Sequence, residues 1–73
     1  MEIVKIWIDN EAVYIQNSNG EIFNERFADY PRLRTANQTQ RAHFEYDNIG
    51  IHWNDLDEDL SYAGFIKNSH QQN

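Results

Sequence analysis

Asn19 and Gly20 lie between two short segments in which apolar and polar residues alternate, and this arrangement predicts a β-hairpin. A two-residue type I′ turn needs a positive φ at both central residues, which asparagine and glycine tolerate best. The segment before the turn places Val13 and Ile15 on one face, and Ile22 begins the segment after it. The chain is therefore expected to fold back on itself as an antiparallel pair of strands.

Another strand is predicted over residues 2–8, just before this hairpin. Its apolar residues form one face of Val4, Ile6 and Ile8 and an opposite face of Ile3 and Trp7. Because both faces carry large apolar residues, the strand is expected to be covered on both sides for part of its length. The three strands together predict an antiparallel meander.

Two short helices are predicted in the middle of the chain. Asp29 is expected to cap the first one, in which Pro31 is tolerated in the first turn and Leu33 and Ala36 point inward. The second helix has a clearer start. Asn37 and the Gln that follows it three residues later form a capping-box pattern, which predicts a helix over about residues 38–44.

The last third of the chain predicts one more strand and a helical turn. A turn at residues 48–50 leads into a short apolar strand at 51–53, which is expected to close the sheet from one side. Ser61 then caps a helical turn over residues 62–66 and carries Phe65 inward.

These elements predict an α+β fold: an N-terminal three-stranded antiparallel meander, two short helices, a returning strand and a short C-terminal helical turn. At 73 residues the chain has room for one hydrophobic core, so residues 1–67 are assigned to a single domain. Residues 68–73 are wholly polar and are expected to form a disordered tail. The core is expected to hold both tryptophans with Leu33 and Phe44, whereas the candidates for outward-facing partner anchors are Tyr14, Tyr30 and Tyr62.

The chain has no cysteine, which excludes a disulfide framework, a thiolate metal site and a cysteine nucleophile. This composition fits a reducing compartment, and the cytoplasm is the expected location. The N-terminus has no basic region followed by a long apolar run, and no stretch approaches the roughly 18 apolar residues of a membrane span. Neither secretion nor membrane insertion is expected.

The net charge of −6 opposes non-specific binding to nucleic acid, because phosphate contacts through Lys and Arg dominate that affinity. The charge is unevenly spread, however, since four of the six basic residues lie between positions 26 and 41 and an acidic run follows. In one interpretation the two segments neutralise each other across the folded surface. In the other they form a partner surface, whose candidate residues are Arg32, Arg34, Arg41, Asp57, Glu58 and Asp59.

The alternating aspartates Asp55, Asp57 and Asp59 resemble the start of a calcium loop, which gathers several carboxylate oxygens around one ion. The rest of that loop is missing, because Leu60 stands where the sharp turn needs glycine and Ile66 where a bidentate glutamate belongs. Carboxylates at a helix N-terminus, paired with the arginines, are the favoured interpretation.

The three histidines His43, His52 and His70 do not show the close helical spacing of a zinc pair. An acid–base pair of His52 with an aspartate, or a triad that adds Ser61, is conceivable but needs a geometry that spacing cannot supply. No catalytic, cofactor or metal site is therefore assigned, and the protein is not expected to be an enzyme.

Between Tyr30 and Ile66 the chain carries a series of residues typical of one bacterial family. They are Pro31-Arg32-Leu33, Ala36, Gln40-Arg41, Gly50-Ile51, Trp53, Asp57-Glu58-Asp59-Leu60 and Gly64. On these residues the chain resembles the domain-of-unknown-function family DUF2442. It departs from the family pattern at Asn54, where a proline usually follows the tryptophan, and at Phe65-Ile66, which replaces a pair of leucines.

The resemblance implies three strands, two short helices and a returning strand, and it implies no established activity. Some proteins of the family look like modules that precede a helix-turn-helix domain, for which this chain is expected to be too short. Others look like small proteins encoded beside a second small protein, in the manner of toxin and antitoxin pairs. By this analogy the chain is expected to be a protein-binding or regulatory module, whose partner is another small protein or a second copy of itself.

Two alternatives remain open. One is a weak nucleic-acid contact through the arginine segment, and the other is a metal-dependent or acid–base enzyme centred on His52 and the aspartates.

Overall fold

Two small antiparallel sheets and three short helices make up the part of the chain that the structure, a computed structural model, describes: residues 2–68 and 71–72. The strands are β1 (Ile3–Ile8), β2 (Ala12–Asn17), β3 (Ile22–Arg26), β4 (Glu45–Tyr46), β5 (Gly50–Trp53), β6 (Glu58–Ser61) and β7 (Gln71–Gln72). The helices are α1 (Pro31–Arg34), α2 (Gln38–Ala42) and α3 (Tyr62–Asn68). Short 3-10 turns lie at Phe27–Asp29 and Asn54–Leu56. The predicted α+β class is confirmed.

The N-terminal sheet has the strand order β1-β2-β3-β7, with neighbouring strands antiparallel. The predicted meander of β1, β2 and β3 is therefore confirmed. Ile6 lies opposite Ile15 and Ile8 lies opposite Val13, so these four side chains share the face of the sheet that packs on the core.

One face of β1 differs from its prediction. A bulge between Ile3 and Lys5 adds a residue to β1, so Ile3 lies opposite Asn17 whereas Lys5 already lies opposite Gln16. The extra residue reverses the alternation: Ile3 joins the side that packs on the core, and Val4, predicted on the face of Ile6, is 57% exposed. The assignment of Val4 and Ile3 to faces was wrong because strict alternation has no place for a bulge.

The hairpin at Asn19 and Gly20 forms, but its predicted type I′ geometry is wrong. Only Gly20 of the pair has a positive φ, of 85°. The Gly20 N–H donates to the carbonyl of Asn17 at 3.0 Å, and the Asn17 N–H donates to the carbonyl of Glu21 at 3.0 Å. The connection is thus a three-residue loop with a glycine in the left-handed position, the next most common solution after the two-residue turn.

Of the caps predicted for the two helices in the middle of the chain, one is confirmed. The Asn37 side chain accepts from the Gln40 N–H at 2.8 Å and the Gln40 side chain accepts from the Asn37 N–H at 2.9 Å, which confirms the capping box. The helix ends at Ala42, two residues before its predicted end. Asp29 does not cap α1; it belongs to the preceding 3-10 turn and lies 3.3 Å from Arg26, while Tyr30 occupies the N-cap position without a side-chain bond.

The returning strand does not close the meander. Instead β5 is the centre of a second sheet with the order β4-β5-β6, so this part of the topology was predicted wrongly. Neither β4 nor β6 was predicted, since a two-residue strand and an acidic strand carry no alternation of apolar residues. The Ser61 cap is confirmed, because its Oγ accepts from the Gly64 N–H at 3.0 Å, and α3 extends to Asn68.

The core lies between the two sheets and α3. Its fully buried side chains are Trp53, Phe27, Phe65, Ile15, Leu33, Ile51 and Val13. Trp53 also donates from its indole N–H to the carbonyl of Arg41 at 2.9 Å. Trp7 and Phe44, both predicted in the core, are only half-buried; Trp7 lies on the other face of the sheet, where its ring stacks on Tyr14 at 5.3 Å.

The end of the chain is described only in part. Asn68 is the last residue of α3, and Gln71–Gln72 pair with β3. Residues 69, 70 and 73 of the predicted disordered tail, and with them His70, lie outside the described residues. Among the described residues no helix is long and apolar enough to cross a membrane.

Candidate docking face

Four large apolar side chains are exposed within residues 2–68. They are Val4 at 57%, Tyr46 at 66%, Ile49 at 65% and Ile66 at 47% of full exposure. They come from β1, β4, the turn before β5 and α3, and are thus far apart in the sequence. A single exposed apolar residue needs no explanation, whereas a continuous patch marks an interaction surface.

Two adjoining grooves bring these four side chains to one side of the molecule. The larger groove encloses about 660 Å³ between β1 and the β4–β5 turn, and it is lined by residues 2–6, Phe44, residues 46–48 and Tyr62. The smaller, of about 340 Å³, is lined by residues 48–49 and 61–63 and by Ile66. Both grooves include Asn48 and Tyr62. We call the surface formed by Val4, Tyr46, Ile49 and Ile66 the apolar face.

Tyr62 fixes the geometry where the grooves meet. Its N–H donates to the carbonyl of Ile49 at 2.9 Å, and its hydroxyl donates to the carbonyl of Asp47 at 2.7 Å. Burial, together with the nearby Asp47 carboxylate, raises the pKa of the Tyr62 hydroxyl. The first residue of α3 is thereby tied to the turn between β4 and β5, so the two elements present one surface.

Asp47 shapes the turn itself. Its Oδ1 accepts from the N–H groups of Ile49 at 2.8 Å and Gly50 at 3.0 Å, and its own N–H donates to the carbonyl of Gly50 at 3.0 Å. These two backbone bonds, followed by a contact with His52, lower the pKa of the Asp47 carboxyl. The Asp47 side chain therefore holds the turn in the conformation in which Ile49 is exposed.

His52 lies on β5 beside this turn, between two carboxylates. Its Nδ1 is 2.7 Å from Asp59 Oδ1 and its Nε2 is 2.9 Å from Asp47 Oδ2. The bond to Asp59, and then the bond to Asp47, raises the pKa of His52. The conceivable triad with Ser61 is not formed, because both ring nitrogens face aspartates and the Ser61 Oγ accepts from Gly64.

The three alternating aspartates point to different partners. Asp55 Oδ2 is 2.6 Å from His43 Nδ1, Asp59 contacts His52, and the Asp57 carboxylate is 3.9 Å from Arg32. They do not converge on one point as a calcium loop requires. In the part of the chain that the structure describes, no three acidic or histidine side chains are grouped to hold a metal ion.

The structure brings part of the predicted basic surface to the acidic one. Arg32 Nη1 donates to the carbonyl of Asp57 at 2.6 Å, and Arg34 Nη1 to that of Ala28 at 3.4 Å. Glu58 is half-buried, and Asp59 is exposed beside His52. The two predicted surfaces therefore adjoin at Arg32 and Asp57.

Arg41 is engaged inside the fold. It donates to the carbonyls of Leu33 at 2.9 Å and Arg34 at 3.1 Å, and its guanidinium lies 4.6 Å from the centre of the Phe27 ring. These contacts join α2 to α1 and leave this side chain little freedom to meet a partner.

The predicted tyrosine anchors are not the exposed aromatic residues. Tyr62 is buried, and Tyr30 is half-buried with its hydroxyl donating to Glu25. Tyr14 donates to Asp9 at 2.5 Å, a bond that raises the pKa of its hydroxyl to about 12. The exposed tyrosine is Tyr46, which sequence reasoning missed. Its position on an unpredicted two-residue strand left no pattern from which exposure could be read.

Residues 3–71 of the chain match a family model described as protein of unknown function (DUF2442). No curated protein and no solved structure matches the chain.

Proposed function

Because this chain belongs to the DUF2442 family of proteins of unknown function, we propose a function from its surface: it is a protein-binding module that docks a partner protein through the apolar face. The observation that carries the proposal is the convergence of four exposed apolar side chains on two adjoining grooves. Their burial against a partner supplies the hydrophobic driving force of association.

The charge of the protein indicates the kind of partner. Glu2 and Asp47 line the larger groove with one lysine, Lys5, and Glu45 is exposed on the same short strand as Tyr46. The chain as a whole has a net charge of −6. A second copy would bring the same negative charge, whereas a protein with an apolar segment flanked by Lys and Arg would be steered toward this surface. The proposed partner is therefore a different, basic protein.

The regulatory part of the proposal follows from what the bound module does to its partner. A small binding module acts by covering a surface of its partner or by placing that partner beside another domain. Both roles agree with the neighbours expected for proteins of this family, which are a helix-turn-helix domain in the same chain or a second small protein encoded beside them. The cytoplasm, where a cysteine-free chain meets such partners, is the location we propose.

Co-purification at physiological salt tests the proposal. The tag belongs at the C-terminus, because Glu2 lines the larger groove. Wild-type protein is expected to retain a partner of basic composition, and the double variant Tyr46→Ser, Ile49→Ser is expected to lose it, since both side chains are exposed and their removal leaves the core intact. The matched control is Arg32→Ser, Arg34→Ser, which changes the other candidate surface.

The outcomes separate the hypotheses. Loss of the partner in the serine double variant with retention in the arginine variant supports docking at the apolar face. The reverse pattern moves the interface to the arginines, and recovery of free wild-type protein argues against a protein-binding module. A sedimenting dimer of the purified protein that the serine variant abolishes would make a second copy the partner.

Each alternative function meets an obstacle in the arrangement of the residues that would carry it. A nucleic-acid contact needs free arginines, yet Arg32 and Arg41 donate to backbone carbonyls. Acid–base chemistry at His52 needs a ring nitrogen directed at a substrate, yet both nitrogens face carboxylates.

A further inference from the structure

His52 is placed so that both of its ring nitrogens need a proton. Asp59 Oδ1 and Asp47 Oδ2 are carboxylate acceptors that lie 2.7 Å from its Nδ1 and 2.9 Å from its Nε2. A carboxylate cannot donate a hydrogen bond, and a neutral imidazole has a single N–H group. Only the imidazolium form satisfies both contacts, so the geometry itself favours the charged ring.

The surroundings of His52 act in the same direction. The carboxyl groups that face it are Asp47 from the turn, Asp59, which lies opposite on β6, and Glu45, which lies opposite on β4. The hydrogen bond to Asp59, and then the one to Asp47, raises the pKa of His52.

Asp47 connects this ring to the apolar face. One of its carboxylate oxygens faces His52, and the other accepts from the N–H groups of Ile49 and Gly50. Its carbonyl accepts from the Tyr62 hydroxyl at the junction of the two grooves. A change in how His52 holds Asp47 is therefore transmitted directly to the turn that exposes Ile49.

We propose that protonation of His52 clamps the turn of residues 47–50, and that docking at the apolar face is thereby strong when the ring is charged and weakened when it is neutral. The inference rests on the proposed function for the docking part. When the ring loses a proton, one nitrogen presents a lone pair to a carboxylate, which turns an attraction into a repulsion. The ring then keeps Asp59, the nearer of the two, and Asp47 is no longer tied to β5.

Nuclear magnetic resonance of the free protein tests the clamp. In a titration from about pH 5 to pH 9, the His52 ring and the Ile49 and Gly50 amides are expected to share one midpoint, higher than that of His52 in urea-denatured protein. Asp59→Asn removes a carboxylate without touching the turn, so it should lower both midpoints together. His52→Gln should abolish the amide transition, and His43→Gln, which alters the other histidine paired with an aspartate, should leave it in place.

The clamp and the regulation of docking are contradicted by different results. Amide transitions that persist in His52→Gln, or that keep their midpoint in Asp59→Asn, would overturn the clamp. For the docking part, the co-purification is repeated at about pH 6 and pH 8, where capture by wild type should fall at the higher pH and capture by His52→Gln should change little. Equal wild-type capture at both values overturns the regulation. Failure to capture any partner at either pH refutes the proposed function and the regulation of docking. The NMR titration, in which the His52 ring and the two amides should share a midpoint, still decides whether His52 controls the turn.

Discussion

Replacing Gly50 by alanine is expected to destabilise the protein more than the same substitution at either of the other two glycines. Gly50 is buried at the start of β5, opposite Ser61 of β6. A Cβ built there would lie 2.2 Å from the carbonyl oxygen of Leu60 and 2.9 Å from the Cα of Ser61. Both are backbone atoms, which cannot move aside as a side chain can.

The magnitude follows from this overlap. Carbon and carbonyl oxygen atoms normally approach to about 3.3 Å, so β5 and β6 would have to separate by roughly 1 Å. Overpacking costs about 1 to 3 kcal/mol, and we expect the upper end because the obstacle is backbone. A domain of this size has a total stability of roughly 4 to 11 kcal/mol. A loss of about 3 kcal/mol would lower the Tm by roughly 12 to 24 °C.

Gly64→Ala provides the matched control. Its Cβ would meet the Ser61 Oγ at 3.1 Å, a side-chain atom that can shift by a few tenths of an ångström. Alanine gains about 1 kcal/mol over glycine within a helix, which offsets a weakened Ser61 cap, so the net change should stay within about 1 kcal/mol. Thermal unfolding followed by circular dichroism measures both variants. Equal Tm values for the two variants would refute the close backbone approach between β5 and β6 at Gly50.

Three further predictions concern a helix cap, an arginine and the pH dependence of stability. Asn37→Ala should cost about 1 kcal/mol in urea unfolding and Asn37→Ser much less, because serine keeps a capping oxygen; equal losses would contradict the capping box. Arg41→Lys should lower the free energy of unfolding by about 1 to 3 kcal/mol, since lysine cannot donate to both carbonyl groups as the guanidinium does. Arg34→Lys should be nearly neutral. A neutral Arg41→Lys would contradict the structural role of Arg41 and would again make it a candidate for partner binding. The pKa of His52 is raised from 6.5, so its contribution to stability is complete below pH 6.5 and is lost as the pH rises through the folded pKa. The pKa of Asp47 is lowered from 3.8, so its contribution is present above pH 3.8 and is lost as the pH falls through the folded pKa. Urea midpoints measured across pH should therefore fall on both sides of a plateau, and a fall at high pH that survives in His52→Gln would have another cause.

Local signals in the sequence predicted the local structure well. The capping box of Asn37 and the Ser61 cap are bonds between residues three apart, so the residues that make them are visible together in the sequence. The hairpin position at Gly20 was predicted for the same reason, although the type of turn was not. The DUF2442 resemblance, read from residues 30–66, is confirmed by the match over residues 3–71.

The errors in burial and sheet topology arose where a residue's neighbour is distant in the chain. The bulge that turns Val4 outward depends on how β1 aligns with β2, and an alternating pattern contains no information about an inserted residue. The two-residue strand that carries Tyr46 exists because β5 is beside it, not because of its own composition. Exposure of Tyr46 and burial of Tyr62 could not be predicted without that second sheet.

The sequence by itself determined the N-terminal meander, two of the caps, the absence of thiol chemistry and the excess of negative charge, because each depends on composition or on residues within a few positions of one another. Only the tertiary structure decided that Val4, Tyr46, Ile49 and Ile66 form one face and that His52 lies between Asp47 and Asp59. Such groupings arise from the packing of two sheets and a helix on a shared core. Residues that packing brings together from opposite ends of the chain leave no common signal in the sequence.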